Sequence, residues 1–174
     1  MATTARGTNT VHGQDPQNLI EKVIRARIYE STYWKEHCFA LTAESIIDKA
    51  IALHAIGGVY ERQTPTPFMC LLLRLLQLQP EKEILFEYLL AEEFKYLRAL
   101  AVIYIRLTFR SMEVFQILEP LMADYRKLRY REPGGDSEDE GEVGDTRRFV
   151  SRSPSLSPDR VVAGDDEDKL EGDV

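Results

Sequence analysis

From Phe68 to Leu78 apolar side chains cover nearly every face of a helical wheel. A helix with no polar side is stable only when neighbours surround it. This segment therefore dictates a bundle with one element at its centre. Its longest apolar run, Phe68 to Leu76, is broken by Arg74 and is far short of the roughly 20 residues needed to cross a bilayer.

The flanking sequence supplies the neighbours. Asp15-Pro16 opens a first helix, Pro tolerating the first turn where its missing N–H costs nothing. Leu19, Ile20, Val23, Ile24 and Ile28 recur at three- and four-residue spacing, the mark of an amphipathic helix. Within the short aromatic segment Ile28–Glu36, Ser31 or Thr32 is placed to cap a brief second helix. Thr42 caps a third, whose stripe is Ala43, Ile46, Ile47, Ala50, Ile51 and His54. Gly57-Gly58 stops it, because Gly tolerates left-handed geometry.

Val59–Thr66 reads as a loop fixed by Pro65 and Pro67, with Thr66 capping the central helix. Pro80 starts another helix, Glu81 and Glu83 standing in its first turn and Ile84, Leu85, Tyr88 and Leu89 on its inner face. A largely apolar helix follows over Glu93–Leu107. Ser111 caps a seventh through Val114, Phe115 and Leu118, and Pro120 kinks it or begins a new one. A last helical stretch ends in Tyr125–Arg131. No strand alternation and no solenoid repeat stands out.

The fold class is all-α: a single compact domain of about seven helices over 16–131, behind a flexible arm at 1–15. From Glu132 to Val174 the chain carries 14 acidic and 5 basic residues, against 15 and 17 before it. The net charge of −7 thus belongs to the tail. That tail is rich in Gly, Ser and acid and cannot bury enough apolar surface to offset its ordering entropy, so 132–174 is expected to be disordered. A body of this size buries roughly two-thirds of its unfolded surface and needs no staple. The amino terminus lacks a signal-peptide run, which with the short apolar blocks implies an intracellular, soluble protein.

Chemistry is hard to find. Cys38 and Cys70 sit in apolar contexts without C-x-x-C spacing and read as reduced core thiols. His12, His37 and His54 lack metal-ligand spacing. The carboxylates Glu81, Glu83, Glu87, Glu92 and Glu93 show none of the environmental asymmetry that an acid–base pair requires. Gly57-Gly58 is no phosphate loop. Neither cofactor, metal nor small-molecule substrate is expected, and no enzyme activity.

Contact is the remaining mode of action. Arg25, Arg27, Tyr29, Tyr33, Trp34 and Lys35 mix cations and aromatics, as single-strand binders do. However, Glu21, Glu30 and Glu36 are interleaved, which favours packing or protein contact over direct RNA binding. Arg126–Arg131 is a better electrostatic candidate, or a set of cations at a helix C-terminus. Candidate interface residues are Tyr29, Trp34, Gly57, Gly58, Tyr60, Pro65, Pro67 and Phe68, with Arg126, Lys127 and Arg129 as a second patch. Ser153 and Ser157, each before a proline, are candidate phosphorylation sites whose modification would add a large local charge.

Several blocks carry a family likeness: N-L-I-E-K-V-I-R-A-R-I-Y-E-S-T-Y-W-K-E at 18–36, L-T-A-E-S-I-I-D-K-A at 41–50, G-G-V-Y at 57–60 and P-T-P-F at 65–68. L-Q-L-Q-P-E-K-E-I at 76–84, E-E-F-K-Y-L-R-A-L at 92–100 and L-E-P-L-M-A-D-Y-R-K-L at 118–128 continue it. In this order, over about residues 11–131, the chain resembles the pre-mRNA-splicing factor 38 family. The resemblance implies a non-enzymatic, nuclear, all-α spliceosome component, associated with the tri-snRNP and needed for activation. It would contact several spliceosomal proteins, with RNA contacted indirectly or secondarily. Two alternatives are a helical adaptor outside the spliceosome and a direct RNA binder.

The chain also departs from the family pattern. Arg131 runs directly into Glu132-Pro133-Gly134-Gly135, where the family domain continues with an Asp-x-Phe-type segment and a Leu-Pro-Arg-type turn. The expectation is a domain lacking its closing helices. The family's Arg/Ser tail is reduced to Ser151–Pro158, and the loop between Tyr60 and Pro65 is shorter than usual.

Overall fold

A computed structural model of the chain describes residues 9–60 and 63–131. Six α-helices account for most of these residues: α1 Lys22–Glu30, α2 Ala43–Ile51, α3 Pro67–Leu78, α4 Lys82–Leu90, α5 Lys95–Thr108 and α6 Ser111–Leu118. Short 3-10 turns lie at Pro16–Leu19 and Glu119–Ala123, and a π-helical segment at Trp34–Cys38. Two-residue strands, β1 Val59–Tyr60 and β2 Thr64–Pro65, pair antiparallel with Val59 opposite Pro65. The expected acidic tail, with Ser153 and Ser157, lies outside the described residues.

The helix α3 is the centre its sequence demands. Thr66 caps it, its hydroxyl accepting from the Met69 N–H at 3.3 Å, and Pro67 occupies the first turn. Phe68, Cys70, Leu71, Leu72, Leu73, Leu75, Leu76 and Gln77 are all buried along it. Against it pack α1, α2, α5 and the segments at Pro16–Leu19 and Trp34–Cys38. From α5 come Leu97, Leu100, Ala101, Tyr104 and Ile105. Burying a Leu or Phe side chain contributes about 1.5–3 kcal/mol, so these two helices contribute much of the stability.

The polar groups of α3 are used. Arg74 donates from Nε and Nη2 to the Leu41 carbonyl at 3.0 and 2.7 Å, tying α3 to the loop before α2. Gln77, 1% exposed, donates to Gln17 Oε1 at 3.2 Å and to the Tyr29 hydroxyl at 3.3 Å, while that hydroxyl donates to Gln17 at 2.7 Å. A satisfied buried network of this kind fixes register, and breaking one member leaves another unpaired.

Several local expectations are corrected. The first amphipathic helix is two pieces, because the extended backbone at Ile20 and Glu21 separates the Asp15-capped turn from α1. The arm at 1–15 is docked over its described part. Asn9 exchanges two hydrogen bonds of 2.8 Å with the Gln79 side chain, and His12 Nε2 lies 3.1 Å from the Leu107 carbonyl oxygen. The helix α2 ends at Ile51, well before Gly57, and His54 is exposed rather than part of an apolar stripe. The loop after it contains the small hairpin. Pro80 precedes α4 rather than starting it, and α5 begins at Lys95. Ser111 is the first residue of α6, while Arg110 takes the cap position without a side-chain hydrogen bond.

The largest difference concerns Tyr125–Arg131. These residues are not helical, and Arg129–Arg131 run beside Ile56. Ile56 donates to the Arg129 carbonyl at 2.8 Å and accepts from the Arg131 N–H at 2.9 Å, a parallel bridge between Ile56 and Tyr130. The segment is a strap that crosses back to the loop after α2.

Candidate interaction surface

The strap and the hairpin meet at Gly57. Its φ of +145° suits a residue without a side chain, and an added Cβ would lie 3.0 Å from the Arg131 carbonyl oxygen. Gly57 therefore permits close approach of two backbones and is not a helix stop. Its carbonyl accepts from the Thr66 hydroxyl at 2.6 Å, so the residue that caps α3 also holds this crossing. The Arg131 guanidinium carbon lies 3.6 Å from the centre of the Tyr60 ring, within the range of a cation–π contact.

The strap is held along its length. The Lys95 ammonium donates to the Lys127 carbonyl at 2.8 Å, and the Arg129 N–H reaches the Tyr96 hydroxyl at 3.4 Å. Asp124 anchors its start, pairing with Arg98 at 2.9 Å and Arg126 at 2.6 Å. The Arg126 hydrogen bonds, with Arg98 adding charge, hold the Asp124 carboxyl well below the usual carboxylate range. Arg126 also donates to the Glu92 carbonyl.

The predicted interface residues thus separate into groups. Trp34 and Phe68 are 4% and 2% exposed and belong to the core, which removes them from any contact surface. Pro65 is a buried residue of strand β2, while Pro67 and Gly58 are half-buried. Tyr29 is half-buried, its ring edge-on to Trp34 at 5.3 Å and its hydroxyl committed to the Gln17–Gln77 network. Tyr60 keeps partial exposure beside Arg131. Arg126, Lys127 and Arg129 are exposed. They lie on a non-helical strap rather than one helix face, and Arg126 is neutralised by Asp124.

A further set was not singled out from the sequence. No residue of α6 or of the turn Glu119–Ala123 is buried. Met112, Phe115, Met122 and Tyr125 are 71%, 71%, 78% and 89% exposed. Met112 and Phe115 lie one turn apart on α6, Met122 in the turn after it and Tyr125 just beyond, exposed apolar side chains of the kind that contact surfaces use. The readable signal was the apolar content of α6 beside Pro120, which says that a face exists but not what covers it.

Neither cysteine is poised as a nucleophile. Both are free and buried, with burial pushing the Cys38 thiol up to about 12 and that of Cys70 to about 11. Among the described residues no group of three potential metal ligands occurs, and no helix is long and apolar enough to cross a membrane. What the geometry presents is a helical body with an apolar edge and a basic strap.

Fold and surface together define a helical domain that offers surfaces for contact. The chain belongs to the PRP38 family, whose profile matches residues 9–150, starting before and ending beyond the 11–131 stretch of likeness read from the residues. It is 52% identical over 136 residues to pre-mRNA-splicing factor 38A of Danio rerio, and 50% identical over 136 residues to that of Homo sapiens. Each alignment covers 78% of this chain and 44% of the relative, so the chain spans less than half the length of these proteins. Among solved structures it is similar to the Snu23–Prp38–MFAP1(217–258) complex of Chaetomium thermophilum. There the TM-score is 0.70 at 46% identity, covering 74% of this chain and 69% of the matched one. The splicing-factor family is consistent with a non-catalytic component.

Proposed function

We propose that this chain is a non-enzymatic scaffold of the spliceosome, acting in the nucleus in pre-mRNA splicing through contacts with proteins of the tri-snRNP and the activating complex. The observation that carries the reading is family membership over most of the chain, joined to a fold shared with a protein solved in complex with Snu23 and MFAP1. Its own surface supports it. The apolar edge at Met112, Phe115, Met122 and Tyr125 suits an apolar protein partner, and the strap beside it carries exposed cations. Direct RNA binding is the weaker reading, because the first 131 residues carry 17 basic against 15 acidic residues and backbone binding needs a cationic track.

The test is affinity purification of the tagged full chain from nuclear extract. Recovery of tri-snRNP proteins together with small nuclear RNAs is expected. Recovery of protein partners without any spliceosomal RNA would instead favour an adaptor outside the spliceosome.

A further inference from the structure

The helix α4 presents a face of different character from the edge at α6. Its inner residues Leu85, Tyr88 and Leu89 are buried. They pack it against α5, and the Tyr88 hydroxyl donates to the carbonyl of Ala43, the first residue of α2. On the outer side Phe86 and Leu90 are 40% and 77% exposed. Residues four apart are neighbours on a helix, so the two side chains form one outward apolar stripe.

Carboxylates flank that stripe. Glu83 stands three residues before Phe86 and Glu87 three before Leu90, again the spacing of helix neighbours. Glu44, in the first turn of α2, adds a charge from a separate element. Burial pushes the Tyr88 phenol up to about 12, and the charges of Glu87 and Glu44 raise it further, as expected of two carboxylates on either side of it. Glu44, Glu83 and Glu87 are exposed and form no salt bridge among the described residues. Lys82, the single cation in the sequence of α4, is paired with Glu113 at 2.9 Å and lies over the Phe109 ring. The flank therefore keeps its negative charge.

We infer that this face docks a basic amphipathic segment of a protein partner, its apolar side chains against Phe86 and Leu90 and its lysines or arginines against Glu44, Glu83 and Glu87. Charge complementarity selects that occupant. A purely apolar partner would strip water from the carboxylates and leave them unpaired, a cost that a facing cation offsets. Nucleic acid is repelled, since its binding begins with neutralised phosphates. A stripe of two side chains fits one short segment, with the apolar pair as anchor and the charges setting its register. The inference rests on the reading of the domain as a contact scaffold and names the chemistry of one partner. Its test uses purified components, so a negative result leaves recovery of spliceosomal proteins from extract as a separate question.

The experiment is a titration of the isotope-labelled full chain, followed by backbone amide shifts, with a capped peptide of repeated Leu-Lys-Ala-Arg units. That repeat sets leucines four residues apart beside cations. The comparison peptides carry Glu in place of Lys and Arg, or Ser in place of Leu. Saturable shifts centred on Glu44, Phe86, Glu87 and Leu90 are expected, with a Kd of about 1 mM or tighter, and binding about tenfold weaker for both comparison peptides. Leu90→Ser, and separately Glu83→Lys with Glu87→Lys, should weaken binding about fivefold or more while amide shifts away from α4 stay unchanged. Phe115→Ser with Met122→Ser should leave it as in the parent. Several results would overturn the inference: no saturation, shifts confined to the acidic residues after 131, equal binding of the serine peptide, or parental affinity in Leu90→Ser. A dimer of the unliganded chain in sedimentation that Leu90→Ser abolishes would also overturn it, making a second copy the occupant.

Discussion

Helices α3 and α6 are both strongly apolar in sequence, yet one is the most enclosed element among the described residues and the other has no buried residue at all. The difference comes from their neighbours. Around α3 stand α1, α2, α5 and two short helical turns, and its few polar groups bond within that enclosure. The helix α6 touches α5 and the turn after it, leaving Met112 and Phe115 mostly in solvent. Apolar content alone therefore does not define a core. Where it is enclosed it holds the fold together, and where it is open it is surface available to a partner.

The sharpest way to break this comparison is to truncate the enclosed side. Leu100→Ala or Leu72→Ala should destabilise the domain by about 2–5 kcal/mol in denaturant titrations. A loss below about 0.5 kcal/mol at both positions, the range of ordinary surface changes, would mean that α3 and α5 are not the core. Next in size is Gly57→Ala. It places a side chain at φ +145° against the Arg131 carbonyl and should cost about 1–3 kcal/mol. The loss should be local, read as faster hydrogen exchange at the Ile56 and Arg131 amides than at those of α3.

A smaller effect tests how the strap is anchored. The Asp124 carboxyl is held below its ordinary value by Arg126 and Arg98. A depressed carboxyl contributes stability that is complete above its unfolded value of about 3.9 and is lost as pH falls toward the folded value. Asp124→Asn should therefore lower a thermal melt slightly at pH 7 and by less at pH 2, where part of the contribution is already lost. Equal shifts at both pH values would show that the ion pairs do not anchor the strap. The smallest change in stability is expected from Phe115→Ser with Met122→Ser, within about 0.5 kcal/mol for each exposed site.

Much of this contrast could be read in the residues. The all-round apolar pattern of α3, its Thr66 cap and Pro67, and the Thr42 cap of α2 are local signals, and each appears where the spacing puts it. The Tyr125–Arg131 strap was illegible for a physical reason. Its Lys, Leu and Arg are good helix formers, and it is pairing with residues distant in sequence, Ile56, Lys95 and Tyr96, that holds the backbone in another form. Gly57 was misread for the same cause, since its requirement comes from Arg131 and not from α2. Trp34 and Phe68 looked like candidate contact residues because aromatic content does not distinguish an interface from a core. Periodicity likewise groups Met112 with Phe115 but is silent on whether anything covers them.

The central claim is that the open apolar edge works by contact while the enclosed helices support it. The most direct test combines Phe115→Ser, Met122→Ser and Tyr125→Ser in the full chain. The measurements are recovery of tri-snRNP proteins from nuclear extract, and the circular dichroism melt of the same preparation. The account predicts a melt close to that of the parent chain together with recovery reduced at least tenfold. Undiminished recovery by the folded triple variant would contradict it and move the contact surface elsewhere on the domain.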